Sequence, residues 1–398
     1  MTSLVISGLG VITRAADDPA SLWRYLLAGE TDFELWHGLL DCDKNPHVAA
    51  RMRSNRIDRV AVFLRERHLL KPLHEISEML SLYVCLSALE DAEIDWRNLD
   101  LSRCAVVIGN LEPNSRLYDA SECREIQQQI NSDKYQMVAS YSMADAVSAA
   151  IGSKGPSLTI HNTCASGNNA LEIGAGLIAE GIVDIAIIGG VDAFSDRIFS
   201  GFATLGVLGE QPCKPFSPQR KFVTIGDGGA AAVLQRASDV STEAPYARLV
   251  AVASNNDAKH PTNLHYDGVL TCHKILWERS GHPPNEIGVV FAHGTGSIAN
   301  DNVEGSIFTD HYPNARIYGV KALTGHLMGA AAAMGLVGSC LAMRTRKLPP
   351  NLYDKDEKFN FELPTTISIL ADSRDLLVQN NAFGFGGINA IALLGAVT

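Results

Sequence analysis

Residues 157–181 read SLTIHNTCASGNNALEIGAGLIAEG and combine a strand, a turn and a helix in one stretch. The first four residues form a short run typical of a strand, and the last part is rich in small and apolar residues, which is typical of a buried helix. Cys164 lies on the turn between them. A strand that passes through a tight turn into such a helix is typical of α/β proteins, in which helices cover a sheet.

A second stretch, residues 316–343, repeats this arrangement with the sequence RIYGVKALTGHLMGAAAAMGLVGSCLAM. His326 lies where its helix begins, at the point that corresponds to Cys164 in the first stretch. If the two parts of the chain pack about a pseudo-twofold axis, Cys164 and His326 converge on one cleft.

Strand-like runs alternate with helical stretches along the chain, at residues 4–7, 105–109, 157–160, 184–189, 248–253, 289–292, 316–320 and 366–370. This alternation predicts an α/β fold in which helices cover a largely parallel sheet. A polar stretch at residues 237–245 is the candidate boundary, and it divides the chain into halves of residues 1–240 and 241–398. The first half carries Cys164, and the second carries His293 and His326.

The 398 residues carry a net charge of −11, with 46% hydrophobic and 19% charged residues. A negative chain is poorly suited to bind nucleic acids or anionic membrane surfaces, so neither is an expected partner. The N-terminus lacks the basic start of a secretory signal, and no apolar run reaches the ~18 residues needed to cross a bilayer. The eight cysteines form no CxxC pair, which argues against a disulfide framework or a metal site. We therefore predict a cytoplasmic protein without a metal or redox cofactor.

Cys164 precedes the residues Ala-Ser-Gly, after which the helix begins. The positive end of a helix dipole favours the thiolate, so this position predicts a lowered thiol pKa and a nucleophilic sulfur. Taken alone, a cysteine in such a stretch is more often a buried structural residue. The remaining motifs favour the catalytic interpretation.

His293 follows an apolar strand and opens the sequence HGTGS, in which Thr295 and Ser297 supply hydroxyl groups for an amide-bearing ligand. The carboxyl ends of strands are where α/β proteins place their sites. Lys321 lies in the apolar junction before His326, where a buried ammonium group needs a carboxylate, and Glu304 is the natural candidate.

Residues 381–389 read NAFGFGGIN near the C-terminus. Backbone N–H groups on such a glycine-rich turn can form an oxyanion hole. A bulged strand is the alternative interpretation of this segment.

These motifs together resemble those of the β-ketoacyl-(acyl carrier protein) synthases of the thiolase superfamily, in their elongating Cys-His-His branch. The resemblance covers essentially the whole chain and rests on NTCASG at 162–167, HGTGS with Asp301 and Glu304, KALTGH at 321–326, and GFGGIN at 384–389. It implies a thiolase fold, in which two βαβαβαββ halves form a five-layer αβαβα sandwich. It also implies a dimer, either a homodimer or a heterodimer with a related chain-length subunit.

The resemblance implies a chemical role for each residue. Cys164 takes an acyl group from a carrier protein or coenzyme A thioester, and His293 and His326 support decarboxylation of a malonyl thioester on acyl carrier protein. The product is a β-ketoacyl thioester of fatty-acid or polyketide biosynthesis. The family assigns Lys321 an organising role through Glu304, and it places the oxyanion hole at the N–H groups of Cys164 and Phe385. The implied substrate-binding residues are Thr295, Ser297, Phe383 and Phe385.

The chain departs from the family pattern at Glu112, in a loop that lines the acyl pocket, and at His161, where a small residue is expected. These departures favour a specialised synthase of polyketide, aryl-polyene or similar secondary metabolism. Two alternatives are a thiolase-type acyltransferase, whose second cysteine the 383–387 loop lacks, and a non-catalytic chain-length partner subunit, which typically lacks the nucleophile present here.

Residues 51–71 form a basic segment in this acidic chain, with seven Arg or Lys residues against Asp58 and Glu66, a local net charge of +5. Acyl carrier proteins are small and acidic, so association with one requires a local basic surface. Elongating synthases dock their carrier near a basic stretch at about this place. We therefore predict that Arg65, Arg67 and Lys71 contact the carrier protein.

Overall fold

A computed structural model describes residues 3–37, 45–71, 75–112, 142–240, 244–371 and 375–397. Within these ranges the strands are β1 Leu4–Thr13, β2 Glu34–Trp36, β3 His47–Ala50, β4 Cys104–Gly109, β5 Ser157–Ile160, β6 Ile185–Asp192, β7 Ile225–Gly226, β8 Gly228–Arg236, β9 Ala247–Asn256, β10 Val289–Phe291, β11 Arg316–Tyr318, β12 Lys347–Leu348, β13 Ser368–Ile369, β14 Leu377–Gly384 and β15 Ile388–Gly395. The helices are α1 Pro19–Ala28, α2 Ser54–Glu66, α3 Ile76–Asp91, α4 Ser142–Ile151, α5 Ser166–Ala179, α6 Asp196–Thr204, α7 Tyr266–Ser280, α8 Ile298–His311, α9 Lys321–Thr324 and α10 Ala331–Thr345.

Ten strands form one sheet in the order β11-β10-β14-β15-β9-β1-β8-β6-β4-β5. Antiparallel pairing of β1 with β9 joins its two halves. Each half has the same arrangement, with three parallel strands at the outer edge and two antiparallel strands toward the centre. The strands β5 and β11, which precede Cys164 and His326, therefore occupy equivalent positions, as the comparison of the two sequence stretches predicts.

The prediction of a largely parallel sheet is wrong, because the central pairs are antiparallel. The strands of the ten-stranded sheet that are missing from the prediction are β8, β14 and β15. β8 reads GGAAAVLQR, and its glycines and alanines lack the β-branched side chains that signal a strand. The predicted strand at 366–370 is not part of the main sheet. It corresponds to β13, which pairs with β12.

The helices form three layers around the two halves of the sheet. α3 and α4 contact the strands of the first half, and α7 contacts β9 and β15 of the second half. α5 and α10 lie between the halves, where they contact each other and strands from both. The five-layer αβαβα arrangement expected from the sequence is confirmed.

The middle layer is made of small residues because its two helices approach closely. A Cβ atom added at Gly167 of α5 would lie 2.6 Å from the backbone nitrogen of Ala333 of α10, which is far too short for real atoms. Glycine at this position therefore permits the contact. α5 and α10 begin next to the turns that carry Cys164 and His326, so this contact sets the distance between those turns.

One segment, Met328–Thr345, is long and apolar enough to cross a membrane by composition, contrary to the expectation that no such run exists. It is 89% buried inside the protein, where it forms α10 and the 3-10 turn before it. Its apolar character is explained by its place in the middle layer of the fold.

Candidate active site

The strands β5, β10, β11 and β14 lead into the walls of one cavity of about 450 Å³. The predicted site residues that line it are Cys164, His293, Thr295, Ser297, His326, Phe383 and Phe385. The other two, Glu304 and Lys321, are buried next to His293 rather than exposed to the cavity. The structure thus brings together residues that lie more than 200 positions apart in the chain.

Cys164 lies on a 3-10 turn, Thr163–Ala165, between β5 and α5. Thr163 has a φ of +52°, a left-handed conformation that turns the chain sharply before the cysteine. Burial raises the pKa of the Cys164 thiol to about 12, and the positive charge of Lys321 offsets part of this rise. The expected lowering of the thiol pKa does not hold, because desolvation outweighs the effect of the helix terminus.

The rings of His293 and His326 lie side by side, with centroids 5.4 Å apart and planes at 84°. The backbone N–H of Met328 donates to Nδ1 of His326 at 3.2 Å, and the Lys321 ammonium lies 3.4 Å from Nδ1 of His293. Since both neighbours are donors, each Nδ1 is an acceptor and each ring carries its hydrogen on Nε2. The two rings therefore offer Nε2–H donors.

Both imidazoles are neutral. Burial lowers the pKa of His293 well below its ordinary value, and the charge of Lys321 and the neighbouring His326 lower it further. Burial and Lys321 act on His326 in the same direction. Neutral, preorganised N–H donors can stabilise a developing negative charge.

Glu304 fixes the backbone at His293. Its Oε1 accepts from the backbone N–H of His293 at 2.7 Å, and its Oε2 accepts from that of Gly294 at 2.8 Å. The side-chain amides of Asn381 and Asn300 donate to the same two oxygens. Burial raises the pKa of Glu304 to about 7, and these hydrogen bonds oppose the rise.

Lys321 does not pair directly with Glu304, so this part of the sequence prediction is wrong. Its ammonium instead donates to the backbone carbonyl oxygen of His293. Burial lowers the pKa of Lys321, whereas the negative charge of Glu304 raises it. Lys321 and Glu304 thus hold the same residue from its carbonyl and its N–H side.

Thr295 and Ser297 present a pair of hydroxyl groups to the cavity. Their oxygens lie 2.9 Å apart, and Ser297 accepts from the backbone N–H of Asn300 as the N-cap of α8. The cap fixes Ser297, and the mutual hydrogen bond fixes the two hydroxyl groups relative to each other at the cavity wall.

Phe383 and Phe385 lie at opposite depths of the cavity. Phe383 is buried and packs edge to face on the His293 ring, with centroids 5.7 Å apart. Phe385 is 38% exposed and stacks on Phe202 of α6, at 5.7 Å and 16° between the planes. The segment after Phe385 turns through Gly386 and Gly387, which have φ values of +84° and +78°.

The sequence prediction missed Asp192, which ends β6 and connects two walls of the site. Its buried carboxylate accepts from the backbone N–H of Leu111 at 3.0 Å and from that of Gly329 at 2.5 Å. Burial raises the pKa of Asp192 well above its ordinary value. A carboxylate at the end of the apolar run IAIIGGVD was the available signal.

Glu112 forms an ion pair with Arg197 of α6, and the cavity is lined by its neighbour Leu111. The loop therefore lines the cavity formed by the described residues, as expected, but it does so through Leu111 rather than through Glu112. His161 is exposed in the chain.

Four of the seven basic residues of this segment pair with carboxylates of neighbouring elements. Arg53 pairs with Asp32, and Arg56 and Arg59 pair with Asp17. Arg67 forms two hydrogen bonds to one oxygen of Glu90, at 3.1 and 3.0 Å, and lies over the Phe63 ring. Arg67 is therefore held within the chain, and its predicted contact with the carrier would compete with Glu90. Of the three predicted contacts, Arg65 and Lys71 are exposed.

The chain matches two family models: the N-terminal domain of β-ketoacyl synthases over residues 1–240 and the C-terminal domain over residues 246–353. It is 27% identical to a 3-oxoacyl-[acyl-carrier-protein] synthase 2 of Coxiella burnetii, with 99% of this chain and 98% of that protein covered. It is also 27% identical to nodulation protein E of Rhizobium leguminosarum bv. trifolii, over 62% of this chain and 63% of that protein.

Solved structures establish the fold. The ishigamide ketosynthase/chain length factor superimposes with a TM-score of 0.88 at 24% identity, covering all of both chains. A type II polyketide ketosynthase, bound to its acyl-carrier protein, superimposes with a TM-score of 0.84 at 22% identity over the same coverage. Together with the family models, which span most of the sequence, these matches show that the chain belongs to the β-ketoacyl synthase family.

Proposed function

We propose that this protein catalyses a decarboxylative Claisen condensation between an acyl group held on Cys164 and a malonyl thioester of acyl carrier protein. The observation that carries the proposal is the convergence of one cysteine and two Nε2–H donors on a single cavity. In the first step the Cys164 sulfur attacks the acyl thioester, a new thioester forms, and the carrier thiol leaves with the proton.

In the second step the malonyl group loses carbon dioxide, and the electron pair of the broken bond develops as an enolate on the thioester oxygen. His293 and His326 donate their Nε2 hydrogens to that oxygen. The enolate carbon then attacks the acyl carbonyl on Cys164, whose oxygen is held by the N–H groups of Cys164 and Phe385. Collapse of this intermediate expels the sulfur and releases the β-ketoacyl thioester.

Thr295 and Ser297 are proposed to bind the amide groups of the pantetheine arm, since their paired hydroxyl groups face the cavity. Phe383 and Phe385 would then line the part of the cavity that holds the acyl group and the entrance to it. The test is intact-mass analysis after incubation with a panel of acyl carrier thioesters. We expect a single covalent acyl adduct, and the absence of any adduct across the panel would contradict the proposal.

We further propose that the enzyme is cytoplasmic, acts in secondary metabolism, and works as a homodimer or as the active half of a heterodimer. The similarity to a ketosynthase/chain length factor supports a paired assembly. The division into halves of residues 1–240 and 241–398 is supported by the polar stretch between them. Light scattering of the purified chain, alone and with candidate partner subunits, distinguishes the two assemblies.

Decarboxylation is expected to fall as the pH decreases through about 7, the pKa to which burial raises Glu304. Above this pH the carboxylate accepts hydrogen bonds from four N–H groups. In the protonated acid, the O–H group faces one of these N–H donors, and the resulting repulsion disturbs the position of His293. The histidines do not titrate in this range, because burial lowers their pKa. Release of carbon dioxide from malonyl thioester, measured between pH 6 and 8.5, checks this expectation. Glu304→Gln resembles the protonated form, so its activity should be low and nearly independent of pH. If this variant still loses activity as the pH decreases (the acid limb of the pH profile), a group other than Glu304 is responsible for the titration.

Reversal of Arg65 and Lys71 to Glu is expected to raise KM for carrier-bound substrate several-fold, more so at low salt, where screening is weakest. Turnover of a short pantetheine thioester without the carrier should barely change. Lys274→Glu with Lys347→Glu is the matched control, because it makes the same change in net charge at other exposed lysines. Equal losses on both substrates would mean that the surface serves stability or assembly.

A further inference from the structure

Strand β14 contains three consecutive amides, Gln379, Asn380 and Asn381, and all three are buried. A buried amide destabilises a fold unless its hydrogen bonds are made. Because side chains alternate along a strand, Asn380 faces the opposite side from the other two. Asn380 bonds to Asn168 and to the backbone of Ala332 in the middle layer, which accounts for it structurally.

Gln379 and Asn381 face the outer layer, where they belong to a continuous series of hydrogen bonds. The Tyr312 hydroxyl, at the end of α8, donates to Oε1 of Gln379 at 3.0 Å. Nε2 of Gln379 donates to Oδ1 of Asn381 at 2.7 Å, and Nδ2 of Asn381 donates to Oε1 of Glu304 at 3.1 Å. The same Oε1 of Glu304 also accepts a hydrogen bond from the backbone N–H of His293, where the series ends.

The far end of the series fixes its direction. The indole N–H of Trp277 donates to the Tyr312 oxygen at 3.0 Å, and Nδ1 of His273 lies 2.7 Å from that oxygen. Since the Tyr312 hydrogen is donated to Gln379, His273 must donate from Nδ1. The hydroxyl then makes one donor and two acceptor bonds, which is its full capacity. Every N–H and O–H in the series is consequently directed toward the Glu304 carboxylate.

We propose that Tyr312 is a positioning residue of this active site, acting through Gln379, Asn381 and Glu304 to hold His293. The inference rests on the proposed function, in which His293 donates to the thioester oxygen. Tyr312 is completely buried and does not line the cavity, so it acts only through these intermediates. Preorganised donors depend on such supporting contacts, because small displacements weaken them strongly.

The charges around Glu304 come from several elements. Lys321 of α9 favours its ionised form, Asp301 of α8 opposes it, and the neutral His293 contacts it through the backbone. The series from Tyr312 is neutral and adds an oriented donor. Its loss leaves the carboxylate less stabilised, so the acid limb assigned to Glu304 should move to higher pH.

The test is Tyr312→Phe, with Tyr318→Phe as the matched control. Tyr318 is also completely buried, but its hydroxyl has no hydrogen-bond partner, so the control removes the same atom without breaking a network. For Tyr312→Phe we expect decarboxylation to fall about tenfold, at the low end of the effect of losing an outer supporting residue. Acylation of Cys164 should stay within about twofold of wild type, as expected for a group that supports only the transition state of the other step. Tyr318→Phe should match wild type in both.

A double variant separates positioning from general destabilisation. In a Glu304→Gln background, Tyr312→Phe should cause no further loss of decarboxylation, since its effect passes through Glu304. The inference would be overturned if the losses in the double variant were additive. It would also be overturned if Tyr312→Phe reduced loading and decarboxylation equally, or if it left the acid limb of the pH profile at the same pH. Wild-type protein that releases no carbon dioxide from malonyl thioester would instead contradict the proposed function itself.

Discussion

Substitution of Cys164 by alanine is expected to abolish covalent acyl loading while the protein remains folded. The change removes one sulfur atom from the turn between β5 and α5, and such a truncation of a small side chain costs about 1 kcal/mol of stability. Among the described residues that line the cavity, Cys164 is the only one with a thiol. Intact-mass analysis after incubation with acyl carrier thioesters should show no adduct.

Cys340→Ala is the control for this result. Cys340 is buried in α10 and does not line the cavity, so its removal should leave loading on Cys164 unchanged. Thermal unfolding of both variants verifies that they are folded. An acyl adduct that persists in Cys164→Ala would remove the cysteine from the mechanism.

Alanine at His293 or His326 is expected to reduce release of carbon dioxide from malonyl thioester at least ~10²-fold, the effect of losing one preorganised donor to a developing oxyanion. Loading of Cys164 should continue to some degree, because the acyl carbonyl is held by backbone N–H groups instead. Single-turnover measurements of loading and of carbon dioxide release separate the two steps.

His282→Ala serves as the matched histidine control. His282 lies outside the cavity, next to Glu286, and its removal should leave both steps unchanged. Unchanged decarboxylation in both the His293 and the His326 variants would mean that the rings do not bind the thioester oxygen.

The convergence of Cys164, His293 and His326 could be predicted because each lies at a strand end with distinctive neighbours. Small residues after Cys164 and His326 indicated buried helices, and the structure places both helices in the middle layer. The mixed sheet could not be predicted in the same way. β8 has too few β-branched residues to mark a strand, although it pairs with both β1 and β6.

Contacts made by backbone atoms also escaped prediction. The sequence predicts a carboxylate partner for Lys321 because a buried ammonium group needs a compensating charge, whereas its actual acceptor is the carbonyl of His293. The pKa of Cys164 depends on how deeply the thiol is buried, a property of the packed molecule. Arg67 was assigned to a partner because Glu90, its actual neighbour, lies 23 residues away in the sequence.

The contact between α5 and α10 at Gly167 bears on how this enzyme can be re-engineered. Since the turns of Cys164 and His326 are attached to these helices, any larger residue at their contact would separate Cys164 from His326, the proposed donor to the malonyl thioester oxygen. The cavity is also lined by Phe202, Leu205 and Val207, which lie outside this helix contact. Libraries that diversify these three residues should therefore yield active enzymes with altered acyl preference, whereas libraries of the helix contact should consist mostly of inactive members.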